Sequence, residues 1–359
     1  TAIEMLSQIF IMPEHIYKDV TDFEHNDYNM NSVGTGPYKL VDYQSGSYLK
    51  FEANENYYKG EPSIKNVVFQ IIENADTAIL ALQNGEVDAY QMTPQQVKKL
   101  DLDASNLSTY SYSEGRVGYL EINCNRVTDE KVRKALLYAM DRKAMDDAAF
   151  ESSEYYSIPY TFLPTNSQFY TEDGVEKYEQ DVDKAKSMLE DAGVSGLKLK
   201  LGYMSSDAVQ SAQALLIQEQ LKEVGVTVEL AGGDGTAIAN AMKDPDNEYD
   251  MYLGGYIMGI DPDTFSSLFE NDGAYNYMHY SGYDTIDQLF EEGRSELDES
   301  ARKETYAKLQ AAVQDTGAFY PIISNNKILV VNNRIQGVED AGLVPVYTFE
   351  DTSSLKIAE

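Results

Sequence analysis

The chain has 359 residues, 43 % of them apolar and 25 % charged, enough length and apolar content for two domains or lobes with real cores. Its 28 basic and 60 acidic residues leave a formal charge of −32. Such a charge repels phosphate backbones and anionic lipid, so nucleic-acid binding through a basic patch is not expected.

The opening T-A-I-E-M-L carries neither a start methionine nor a signal peptide, and the chain is expected to be a cut or mature piece of a longer polypeptide. A short apolar stretch (Met5, Leu6, Ile9, Phe10, Ile11) ends at Pro13 and reads as the close of a preceding unit. Residues 33–40, V-G-T-G-P-Y-K-L, lead into a strand, Ser45-Gly46-Ser47 turns, and Tyr48–Glu52 returns, which predicts a hairpin. Asn66–Ile72 reads as a buried-type strand. Asp76 is expected to cap a helix over 77–84 that stops at Gly85, before a strand at 87–90.

Arg116–Asn123 alternates Val117, Tyr119 and Glu121 against Gly118, Leu120 and Ile122 and predicts another strand. Val132, Ala135, Leu136, Ala139 and Met140 share one helical face, with Thr128 or Asp129 as cap. Residues 151–180 look loop-rich. A strand–helix alternation follows: helix 181–192, strand 197–201, helix 207–224, strand 226–230, helix 236–243 and strand 249–254. This pattern predicts a doubly wound sheet whose ligands lie beyond the carboxyl ends of its strands. Two acidic amphipathic helices (281–297 and 299–315) and two strands (319–323 and 327–332) complete the reading.

Few chemical motifs survive inspection. In a dinucleotide loop the third glycine would stand where Lys39 is, and Gly34-Thr35-Gly36 precedes a strand rather than a helix, so it reads as a turn whose glycines allow positive φ or close packing. Gly232-Gly233-Asp234-Gly235 precedes a helix, but Asp234 opposes an anion and a flexible turn is favoured. His15, His25 and His279 are scattered, which disfavours zinc. Tyr249 fills the glycine position of a calcium loop begun at Asp244, leaving only a loose site at Asp261 and Asp263. Cys124, the single cysteine, excludes an intrachain disulfide and pairs with His279 only if the fold happens to bring them together. No cofactor is expected. The 28 tyrosines, without tryptophan, suit a cleft for polar ligands, though sheet faces account for most of them.

Five stretches taken together carry a resemblance: Val33–Tyr38 (V-G-T-G-P-Y), Asn54–Pro62 (N-E-N-Y-Y-K-G-E-P), Ala81–Asp88 (A-L-Q-N-G-E-V-D), Asp129–Arg142 (D-E-K-V-R-K-A-L-L-Y-A-M-D-R) and Tyr249–Tyr256 (Y-D-M-Y-L-G-G-Y). In this order they resemble the extracytoplasmic solute-binding proteins of peptide-type ABC importers, family 5, which includes oligopeptide-, dipeptide- and nickel-binding members. The resemblance implies an α/β fold of the periplasmic-binding-protein-like type II, with two lobes of doubly wound mixed or parallel sheets closing by a hinge. It implies that 1–113 is part of lobe one, 114–317 is lobe two, and 318–359 returns to lobe one. Family members carry a β-rich stretch and an accessory domain ahead of the Val33–Tyr38 motif, so the chain is expected to lack its N-terminal third.

The resemblance also implies a site. Gly255–Pro262 matches the family's aromatic–glycine segment, with Tyr256 as a wall beside Met258. Peptide binders place an amine-anchoring aspartate three residues after the aromatic. That position is Gly259 here, and Asp261 is the acid available to take the role. Asn123 and Asn125 would supply polar contacts near the hinge. The expected function is non-enzymatic capture of short peptides in an interlobe cleft and delivery to an ABC permease, by a monomeric protein outside the cytoplasm, as a surface lipoprotein or in the periplasm. Alternatives are an oligosaccharide or metal-chelate binder of the same fold, a surface peptide sensor without import and, remotely, a hydrolase using buried acids.

Overall fold

The computed structural model describes residues 9–29, 33–150, 152–257, 261–281, 283–345 and 347–358. The chain divides into two units. One, the split unit, joins Met5–Glu114 to Lys327–Glu359, and the other, the central unit, runs Gly115–Asn326.

In the split unit, β1 (Tyr38–Gln44) and β2 (Tyr48–Ala53) form the expected hairpin, and β3 (Asn66–Gln70) adds a third antiparallel strand. The β3 run is not buried: Val68 and Phe69 are 56 % and 61 % exposed. An apolar run marks a strand but does not say whether anything covers it. The Gly34–Gly36 turn is tied to the end of β2, where Asn54 donates its side-chain amide to the Gly36 carbonyl at 3.0 Å and its N–H to the Pro37 carbonyl at 2.7 Å. Neither glycine has positive φ, and a Cβ on either would meet nothing closer than 4.0 Å, so the reading that they serve positive φ or close packing is corrected. Helix α1 (Ala75–Gln83) is capped by Asn74, which accepts from the Thr77 N–H at 2.9 Å, whereas Asp76 lies inside the first turn. Gly85, at φ +71°, closes it. Strands β4 (Ala89–Met92) and β5 (Leu107–Ser113) follow. β5 was not anticipated, because its alternating face is mostly Ser and Thr.

In the central unit, β6 (Arg116–Ile122) leads into α2 (Glu130–Tyr138) and α3 (Arg142–Phe150). A loop stretch follows, broken by the two-residue β7 (Tyr156–Ser157). Then come α4 (Val182–Asp191), β8 (Lys198–Met204), α5 (Ala208–Glu223), β9 (Thr227–Gly233), α6 (Gly235–Met242) and β10 (Met251–Ile257), close to the expected alternation. Helices α7 (Asp284–Ser295) and α8 (Glu299–Asp315) precede β11 (Phe319–Asn332). Asp129, Asp181, Asp207, Asp234 and Asp298 cap α2, α4, α5, α6 and α8 through hydrogen bonds from first-turn N–H groups. The Gly232–Gly235 segment is therefore a strand end and a cap filled by its own carboxylate.

The strand order in this unit is β11-β6-β10-β8-β9. β8 pairs in parallel with both β9 and β10, while β6 is antiparallel to β10 and to β11, so the sheet is mixed. β11 is one strand where two were expected. Its polar middle stays in a ladder, with Ser324 and Asn325 opposite Ser157 and Tyr156, before its last residues pair with β4 in the split unit.

β6 is covered on both faces. Leu120 and Ile122 join a core with Leu136, Met145, Ala214, Ile217 and Leu253. Val117 and Tyr119 join another with Phe269, Phe290, Tyr306 and Leu309. Alternation puts Glu121 on the second face, fully buried, with neither carboxyl oxygen hydrogen-bonded among the described residues. Burial raises its pKa well above the carboxylate range. On α3, burial likewise pushes Asp146 up to about 9, against the partial relief of Arg142.

A folded-state pKa above the unfolded value of 4.5 makes Glu121's contribution complete below pH 4.5 and lost as pH rises toward the folded value. Urea denaturation at pH 5 and pH 8 is expected to show Glu121→Gln gaining on wild type as pH rises, by up to about 1.4 kcal/mol per pH unit. An offset equal at both pH values would mean that the carboxyl is ionised inside the fold.

Candidate functional site

The carboxyl ends of β8, β9 and β10 and the amino end of β6 share one edge of the central sheet. Val117 lies opposite Tyr256 and Arg116 opposite Ile257. The chain enters the central unit at this edge, since Gly115 directly precedes β6. Tyr256 is half-buried. Its ring packs edge-on to Phe265, centroids 6.1 Å apart, and lies 6.0 Å from Tyr275, while its hydroxyl is 3.3 Å from Ser267 Oγ. One side of the ring is fixed by other aromatics, so it forms a rigid wall. Met258 and Gly259 lie outside the described residues.

Asp261 opens the turn Pro262–Phe265 and accepts from the Asp263 N–H at 3.0 Å. Both of its carboxylate oxygens accept from Arg302 Nη2, at 2.7 and 2.8 Å. The pair is largely sequestered, with side chains 6 % and 13 % exposed. Arg302 also donates to the Gly293 carbonyl and the Tyr306 hydroxyl, and it lies against the Phe169 and Tyr306 rings. Burial alone would raise the Asp261 pKa, but the hydrogen bonds from Arg302 and the Asp263 N–H outweigh it and hold the group below the usual carboxylate value. Asp261 thus already has a cation inside the protein. Asp263 accepts from a different arginine, Arg294, at 2.8 Å. The loose calcium site is not assembled: among the described residues no group of three His, Cys, Asp or Glu gathers as metal ligands.

Asn123 and Asn125 do not join Tyr256. The Asn123 N–H donates to the Asp250 carbonyl, and Asn123 Oδ1 accepts from the Asn125 N–H at 3.0 Å. Because β6 and β10 are antiparallel, both asparagines sit beside the start of β10 while Tyr256 is near its end, about 20 Å away at roughly 3.3 Å per residue. The two asparagines and Tyr256 thus lie at opposite ends of β10, a separation set by strand direction, which residue alternation does not encode. Asn125 instead lines an open cleft of about 430 Å³ with Lys243, Asn276 and His279.

Cys124 and His279 do come close along the backbone, since the Cys124 N–H donates to the Met278 carbonyl at 2.7 Å. They do not form a nucleophile–base pair. His279 Nε2–H donates to the Met242 carbonyl, and burial pushes the Cys124 thiol up to about 11.

Arg116 was not singled out from the sequence. It opens β6 opposite Ile257, and its guanidinium lies over Gly255: a Cβ there would sit 2.0 Å from Nη2 and 2.2 Å from Cζ. Gly118, directly across from Gly255, leaves the same space open, with its own imagined Cβ 3.5 Å from Arg116 Nη1. The signal was present as two facing glycines beside a lone basic residue at a strand start, but facing needs the register.

Residues 1–277 match the family model described as "Bacterial extracellular solute-binding proteins, family 5 Middle". The chain belongs to this family. Family 5 consists of substrate-binding proteins, and the type II periplasmic-binding-protein fold expected from the sequence is the one observed. The ABC transporter substrate binding protein CtaP of Listeria monocytogenes superposes with a TM-score of 0.93 at 37 % identity, covering 99 % of this chain and 73 % of its own. AppA from Clostridium difficile gives 0.90 at 32 % identity, covering 96 % and 72 %. The oligopeptide-binding protein AppA of Bacillus subtilis is 27 % identical over 358 residues, 91 % of this chain and 64 % of that protein. The chain thus spans less than two thirds of the length of the first curated relatives it matches.

The Asp261–Arg302 pair of this family 5 protein carries a stability role. Asp261→Asn is expected to lower the unfolding free energy by about 3 kcal/mol in urea denaturation, because it strands a buried guanidinium. Asp261→Leu combined with Arg302→Met should recover most of that loss. A single substitution without effect would mean that the pair is not formed.

Proposed function

We propose that the protein is the solute-binding component of an ABC importer, which captures short peptides and delivers them to a membrane permease. The observation that carries the reading is the Tyr256 wall at the carboxyl edge of the central sheet, where open α/β sheets take ligands. Membership of family 5 and the oligopeptide-binding name of the Bacillus relative support it. Tyr256 supplies a flat apolar face for the peptide, and Met258 and Gly259 continue the same segment. Asp261 is the acid of that segment, and its tie to Arg302 makes it a positioning residue for the loop rather than the amine anchor. The split unit serves as lobe one and the central unit as lobe two. The protein works as a monomer outside the cytoplasm, held at the cell surface by a lipid or free in the periplasm. It acts by binding, without chemistry, and the thiol and histidine disposition supports that.

Thermal unfolding of the protein against di- to hexapeptides, oligosaccharides and nickel chelates tests the reading. A peptide at about a hundred times its Kd should add about 2.7 kcal/mol and raise Tm visibly. Tyr256→Ala should leave the unliganded Tm within a few degrees and weaken the peptide response about tenfold. Stabilisation by sugars or nickel chelates, with none by peptides, would replace the peptide assignment with that ligand class.

A further inference from the structure

The cleft of about 430 Å³ beside Asn125 lies at the far edge of the central sheet, about 20 Å from Tyr256 at roughly 3.3 Å per strand residue. Its volume is that of a small-molecule site. Three segments line it: the chain after β6, which carries Asn125, the end of α6, which carries Lys243, and the loop 271–281. Hydrogen bonds to backbone hold the three together. The Cys124 N–H donates to the Met278 carbonyl at 2.7 Å, and His279 Nε2–H donates to the Met242 carbonyl at 2.7 Å. His279 keeps that contact at a φ of +49°, in the left-handed region that a residue other than glycine seldom takes.

The lining groups divide by chemistry. Among the described residues, the Lys243 ammonium and the Asp272 carboxylate have no hydrogen-bond or ion-pair partner, and they do not pair with each other although both line the cleft. Asn276 is 7 % exposed; its Nδ2 donates to the Glu270 carbonyl at 3.1 Å, while its buried Oδ1 accepts from no described residue. A buried acceptor without a donor is costly, so it marks a place where a ligand can supply one. The loop thus offers two acceptors, and the end of α6 offers a cation. A sugar would leave both charges unpaired, and a simple anion or cation would leave one. A molecule carrying an ammonium and a carboxylate a few bonds apart satisfies both. We propose that this cleft is a second, distal site for a small zwitterion, a free α-amino acid, whose ammonium meets Asp272 and Asn276 Oδ1 and whose carboxylate meets Lys243. The site goes beyond the peptide reading and does not rest on it.

Calorimetric titration of the intact full-length protein with the free proteinogenic L-amino acids, and with glucose and maltose, tests the assignment without any peptide. At least one amino acid is expected to bind, with its N-acetyl and methyl-ester forms about tenfold or more weaker, since each removes one charge-assisted contact. Lys243→Met should bring the free amino acid down to the affinity of its ester, and Asp272→Asn down to that of its N-acetyl form. Both side chains are exposed, and an unchanged Tm in each variant reports that it folds. Failure of every amino acid to bind wild type, or an affinity that either variant leaves unchanged, would overturn the site. Binding of a sugar with none of any amino acid would make the cleft a saccharide site and overturn the zwitterion assignment.

Discussion

The antiparallel register of β6 against β10 is the constraint on which the central unit depends. It sets Gly118 against Gly255 and so opens the space for Arg116. It sets Tyr256 against Val117, which gives the tyrosine ring its place over the aromatic core. It also sets Glu121 opposite Tyr252 in a strand with no solvent face. A slip of one residue would turn every side chain of β6 to the other face. Leu120 and Ile122 would leave their core and Glu121 would enter it, so the register is held by the apolar pattern of both faces at once.

Charge in this molecule is arranged around scarce cations. Most arginines pair with carboxylates or backbone carbonyls of the chain itself, and the pairs on the flank of the central unit (Asp261 with Arg302, and Asp263 and Glu270 with Arg294) tie the segment after β10 to α7 and α8. Those ties fix Asp261 at the head of its turn, against Arg302. Sequence position alone makes Asp261 look available, whereas its neighbours in space have already neutralised it.

Much of the fold was legible before any coordinates. α5 and α8 fall within a residue or so of expectation because an aspartate cap and an apolar stripe mark their limits. β5 was missed since Ser108, Thr109 and Ser111 give the alternation no apolar contrast. β11 was read as two strands because Ser324-Asn325-Asn326 resembles a turn until its partner β7 is known. At the candidate site, the segment around Tyr256 is legible in the sequence, but the separation of Asn123 and Asn125 from Tyr256 and the seat of Arg116 over Gly255 are not. Which end of a strand meets which is a property of pairing, and one sequence without its pairings does not contain it.

The aspartate caps bear on how the acidity of the chain should be understood. Five of the 60 acids hold the first turns of central-unit helices, each by a hydrogen bond whose loss costs about 1 kcal/mol. Other acids are internal counterions. The formal charge of −32 therefore overstates the charge that is free to vary. An engineer who neutralised acids at random to lower it would be removing framework as well as surface. Acids on the open faces of the helices can be exchanged freely, while those that begin the helices are part of the architecture.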